Sequence, residues 1–159
     1  MASSLSVGAE QRLRDLGIEL PTPPRPFGAY VESVQSGRLL FLSGMLPVVD
    51  HKPKYLGRLG QELDTESGRN ALLTASLSAL SAARAHLGTL DKVTRIVRLG
   101  VYLATSGDFF DQPKVADAAS ELFESIFGKE KTSVRMVLGV ASLPLGMPVE
   151  LEVIMEVAE

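Results

Sequence analysis

The chain contains no cysteine and no tryptophan. Without thiols it can build no disulfide framework, zinc ribbon or iron–sulfur cluster, and it has no thiol nucleophile. Its two histidines, His51 and His86, are too few and too isolated for a three-histidine zinc site. No metal is therefore expected. Aromatic residues make up only 6%, a poor stacking platform for single-stranded RNA. The net charge is −3 and the basic residues are not massed, so no nucleic-acid partner is expected. No run approaches the roughly 18 uninterrupted apolar residues of a spanning helix. The first eight residues lack a basic stretch followed by a long apolar core, the mark of a secretory signal. The expectation is a cytoplasmic protein with no membrane partner.

What is present fits one domain. At 159 residues and 45% hydrophobic, the chain can bury a core without staples. Residues 7–16 read as a short helix with Leu13 and Leu16 on one side, stopped by Gly17. Four prolines between 21 and 26 exclude helix or central strand, so residues 1–25 read as a helical appendage with a Pro-rich connector. Residues 26–159 form the main domain. Residues 29–34 and 38–42, separated by Ser36-Gly37, predict a hairpin. A loop rich in Pro and Gly follows, with a short strand near 55–59. Asp64 or Thr65 caps the longest helix, which carries Leu73, Leu77, Leu80 and Leu87 and ends at Gly88.

Val93, Val97, Leu99, Val101 and Leu103 mark the inner face of a long strand interrupted by Arg95. Residues 112–127 predict a second long helix, with Pro113 in its first turn and Val115, Ala119, Leu122 and Ile126 as its buried stripe. Strands 134–140 and 149–157 close the chain. The order is β-β-(β)-α-β-α-β-β, an α+β fold with a mixed sheet of five to six strands. Two helices cover one face of such a sheet. The opposite face is expected to mix apolar residues with Arg135 and Glu150, a composition that suits burial against other subunits around polar pockets.

The most informative stretch sets Arg135 before Val140-Ala141-Ser142-Leu143-Pro144 and Val149-Glu150-Leu151-Glu152. Arg135 stands eight residues before Leu143, and Glu150 six after Pro144. Upstream lie Pro26-Phe27-Gly28-Ala29-Tyr30 and Phe41-Leu42-Ser43-Gly44. Together these resemble the RidA family, also called YjgF or endoribonuclease L-PSP, in its longer YjgF-like branch. The resemblance implies a chorismate-mutase-like fold, a homotrimer with ligand clefts between subunits, and cofactor-free hydrolysis of enamines or imines to 2-keto acids and ammonium. It assigns Arg135 to the substrate carboxylate, Glu150 to water or proton handling, and Tyr30, Ser43 and Gly44 to the cleft lining.

Physical chemistry agrees with those roles. A guanidinium binds a carboxylate through two parallel hydrogen bonds and stays charged. A carboxylate beside an imine can activate water, and an imine is already electrophilic. Arg135 could equally pair with Glu150 or Glu152, Tyr30 could be only a strand aromatic, and Ser43 and Gly44 could simply end a strand. Three positions depart from the family pattern: Met45, Gly107 and Met136 stand where polar residues are usual. The carboxylate grip survives, while the thinner polar surroundings suit a larger, more apolar acid. The alternative function is a trimeric protein that binds a small carboxylic acid without turning it over. Ribonuclease activity ranks third.

Overall fold

The structure, a computed structural model, describes residues 6–159; the first five residues, part of the stretch judged for a signal peptide, lie outside it. Helix α1 (Ala9–Asp15) ends where Gly17 adopts a left-handed φ of 67°. Its buried residues are Ala9 and Leu13, one turn apart, while Leu16 faces solvent. Both belong to the apolar cluster shared by the sheet and the two long helices. Glu10 fixes the junction. Its carboxylate takes two hydrogen bonds from Arg84, at 3.1 and 2.7 Å, and one from the Leu90 N–H at 2.9 Å.

The hairpin forms from β1 (Ser33–Ser36) and β2 (Leu39–Leu42). Its first strand starts four residues later than the sequence predicts, because a local loop holds the preceding segment: the Tyr30 hydroxyl accepts the Phe27 N–H at 2.9 Å. Strands β3 (Val48–Val49) and β4 (Lys52–Pro53) make a separate two-stranded ribbon. Residues 55–59 are not a strand. Gly57 and Gly60 take positive φ values of 113° and 85°, which break extension, and Leu59 makes only isolated bridges to Leu63 and Thr105.

Helix α2 (Thr65–Leu87) is capped by Asp64, which accepts the Ser67 N–H at 2.8 Å, and ends at left-handed Gly88. It packs on the last strand, residues 149–157, and on α3 (Gln112–Phe127), whose Val115, Ala119 and Ile126 are buried. Strand β5 (Val93–Ala104) carries two register shifts, between Val93 and Arg95 and between Ile96 and Arg98. Each extra residue resets the alternation, so Ile96 rather than Val97 faces the core. Strands β6 (Val134–Val140) and β7 (Val149–Val157) complete a five-stranded sheet in the order β1-β2-β7-β5-β6. Only the β5–β6 pair is parallel, and α3 is its crossover.

Along β7, Val149, Leu151, Val153, Met155 and Val157 are all buried under the helices. The other face exposes Val34, Phe41, Val134, Met136 and Leu138. Among the described residues, no helix is long and apolar enough to cross a membrane.

The registers correct the expected placement of Arg135. It lies opposite Leu99, whose side chain is buried on the helix side, whereas Met136 aligns with Gly100 and Glu152 on the open side. Arg135 and Glu150 therefore occupy opposite faces of the sheet within one subunit. Strand β6 is an edge strand with apolar residues on both faces, and its larger apolar set points away from the helices.

Candidate functional site

The Ser43-Gly44-Met45 segment carries β2 onward between its two neighbours, β1 and β7. The Ser43 N–H donates to Glu32 O at 2.9 Å and its hydroxyl to Val31 O at 2.5 Å. Two residues on, Met45 exchanges hydrogen bonds of 2.8 and 2.9 Å with Leu151. The continued pairing with β7 lays the Gly44 backbone against Glu150. A Cβ at Gly44 would collide with the Glu150 carboxylate and stand 3.0 Å from its carboxyl carbon, so this position has room only for glycine while Glu150 keeps its conformation.

Glu150 lies on β7 across from Tyr102, on the helix-free face. Burial pushes its carboxyl above the usual carboxylate range, and no neighbouring charge offsets that push. Its neighbour Glu152 differs: Arg98 Nε lies 3.2 Å away, a Coulombic pair without an aligned N–H···O bond. Glu32, beside Ser43, is also raised by burial. A carboxyl that holds its proton more tightly than usual, with no cation to neutralise it, can give a proton to a leaving amine and take one from water.

The structure thus brings together Glu150, Gly44, Ser43 and, through the Val31–Glu32 backbone, the segment carrying Tyr30. The Ser43 hydroxyl is spent on Val31 O. Tyr30 is exposed, with its hydroxyl accepting from Phe27.

Arg135 is not part of this group. Its Nη1 donates to Asp117 Oδ1 at 2.7 Å and to Ser120 Oγ at 3.0 Å, both on α3. The partner is neither Glu150 nor Glu152. Asp117 and Ser120 sit three apart on the helix that leads into β6, and that i,i+3 spacing was the available sequence signal.

Met45 is buried in the core and lines no surface, whereas Gly107 lines an open cleft and Met136 is exposed near Glu152. A cavity of about 500 Å³ between the Pro-rich connector, β3–β4 and α2 contains none of these residues. Among the described residues, no three His, Asp or Glu side chains converge as a metal-holding group.

This fold and this corner define a class. Residues 10–157 match the family described as "YjgF/chorismate mutase-like, putative endoribonuclease". The chain belongs to that family. It is 40% identical over 145 residues to Protein TCP17 of Trypanosoma cruzi, covering 91% of each chain. It is 27% identical over 136 residues to a 2-iminobutanoate/2-iminopropanoate deaminase of Dermatophagoides farinae, covering 85% of this chain and 91% of that one. The crystal structure of the protein Atu1372 from Agrobacterium tumefaciens superposes with a TM-score of 0.86 at 32% identity, covering 94% of this chain and 92% of that one.

Proposed function

We infer that the chain hydrolyses 2-imino acids, or the enamines that tautomerise to them, to 2-keto acids and ammonium. The observation that carries this reading is the half-buried Glu150 carboxyl, uncompensated by any cation and pressed against the Gly44 backbone. Water adds to the C=N carbon to form a carbinolamine. Glu150 takes a proton from the water and returns it to nitrogen. Glu150 then passes the carbinolamine hydroxyl proton to the nitrogen, the C–N bond breaks, and ammonia leaves as the carbonyl forms. The deaminase relative supports this substrate class.

Arg135 supplies the carboxylate grip. Asp117 and Ser120 both bond to Nη1, which orients the fork and leaves Nη2 and Nε as donors. Because Arg135 and Glu150 face opposite ways in one subunit, they serve one substrate only across a boundary between copies. The open sheet face, with Phe41 39%, Leu138 44% and Met136 51% exposed, is the surface the homotrimer covers.

The test is ammonium release from an enamine generated in situ from serine. Wild type should produce it, and Arg135→Ala should not. A light-scattering mass three times that of the chain checks the assembly. The second reading, binding without turnover, draws on Gly107 and Met136, which leave fewer polar groups beside the ligand. It predicts thermal stabilisation by a 2-keto acid, abolished in Arg135→Ala, with no ammonium released.

A further inference from the structure

The C-terminal ends of the parallel strands β5 and β6 open into two clefts whose linings include neither Arg135 nor Glu150. One, of about 400 Å³, is lined by Leu56, Ala104, Leu143, Leu145 and Met147. The other, of about 460 Å³, is more polar and is lined by Thr105, Ser106, Gly107, Phe109, Gln112 and Gly139. Arg58 and Ala141 line both, so the arginine stands on the ridge between an apolar and a polar cleft. Ligands of α/β sheets characteristically sit beyond the carboxyl ends of parallel strands, and volumes of about 300–1,000 Å³ suit small molecules.

Six details describe the site. The Arg58 guanidinium donates to the neutral Gln61 Oε1 at 2.7 Å, and the Glu62 carboxylate is near enough to feel its charge without bonding to it. The adjacent Glu62 carboxylate is occupied by the Arg58 backbone N–H at 2.8 Å and the Gln61 amide at 3.0 Å. The apolar cleft is rimmed by Leu56 and Leu145, both well exposed, and Leu145 holds a positive φ of 59° that a leucine rarely adopts. The Gly57 N–H to Gly146 O bond, at 2.9 Å, ties the two rims together. Beside the polar cleft the Ser106 hydroxyl is shut off from solvent and has no hydrogen-bond partner among the described residues. Gly139 keeps the floor open, since a Cβ there would stand 2.9 Å from Thr105 Oγ1.

We propose that this cleft pair binds an aliphatic monocarboxylate, with the carboxylate on Arg58 and the hydrocarbon tail between Leu56, Leu145 and Met147. A single arginine matches one carboxylate rather than a polyphosphate. The cleft walls on the tail side carry no aromatic ring, which favours a branched alkyl chain. Arg135 lies four residues from Gly139 along β6, about 13 Å at the usual strand rise, so this site is separate from the Arg135 grip.

Titration calorimetry with 4-methylpentanoate tests the proposal, with acetate and inorganic phosphate as comparison anions. Wild type should bind 4-methylpentanoate at least tenfold tighter than either. Arg58→Gln should lose at least tenfold in affinity. Leu145→Gly, which also relieves the backbone, should lose affinity for 4-methylpentanoate while leaving acetate unchanged. Arg135→Ala should bind as wild type does. Amide shifts on the wild-type chain should move at Gly57, Ala141 and Met147, a readout independent of any variant's folding. Unchanged affinity in Arg58→Gln, equal affinity for acetate, loss of binding in Arg135→Ala, or shifts confined elsewhere would each overturn it. None of these outcomes depends on deaminase activity, whose failure is read separately from ammonium release.

Discussion

Glu10 and Glu150 are both carboxylates withdrawn from water, and the protein treats them oppositely. Glu10 is disfavoured by burial, yet the Arg84 hydrogen bonds, the Leu90 N–H and the charges of Arg84 and Arg14 outweigh that cost and hold its carboxyl below the usual range. Glu150 suffers the same desolvation with no such compensation, and its carboxyl rises. The first arrangement is how a fold uses an acid as a joint: every oxygen is engaged, and the charge is matched. The second is unfavourable for stability and favourable for proton transfer, as expected where function rather than folding sets the environment.

The largest stability effect should follow from breaking the satisfied acid. Glu10→Ala leaves the Leu90 N–H and the Arg84 guanidinium without their partner and should cost about 1–3 kcal/mol, read by denaturant unfolding. Because the Glu10 pKa is lowered on folding, its contribution is present above the usual carboxylate range and lost as pH falls through the folded value. The wild-type advantage over Glu10→Ala should therefore shrink in acid.

Gly44→Ala should cost less, under about 1 kcal/mol, because its Cβ meets the movable end of Glu150 rather than backbone. It should nevertheless lower ammonium release by about tenfold or more through displacement of that carboxylate.

The smallest stability effect, and one of opposite sign, belongs to Glu150→Gln. The raised pKa of Glu150 favours the folded state below the ordinary carboxylate range, and that contribution is lost as pH rises through the folded value. At neutral pH Glu150→Gln should melt slightly above wild type, and the difference should close toward pH 4.

Much of this architecture is legible in the sequence where one physical rule acts alone. Strict alternation from Val149 to Val157 marks a strand with one buried face, and β7 has one. Asp64 and Gly88 bracket α2 because an N-cap acceptor and a left-handed glycine are local requirements. The Ser43-Gly44 segment and Glu150, both singled out through the family resemblance, lie against one another in the structure. Legibility fails where tertiary context decides. The two bulges in β5 have no residue-level marker beyond Arg95, so Ile96 takes the place expected for Val97. Arg135 sits on an edge strand that is apolar on both sides, where pattern cannot choose the face. Arg58 joins residues 104–106 and 139–147 only because the loop before α2 folds back over the ends of β5 and β6.

The most direct test of the account is the rate of ammonium release by Glu150→Gln, a near-isosteric change that removes the titratable group and leaves the corner packed. With an enamine generated in situ, at pH 7 and with the variant's assembly verified, the rate should fall by about 10²–10⁴ relative to wild type. A variant that releases ammonium as fast as wild type would contradict the assignment of proton transfer to Glu150.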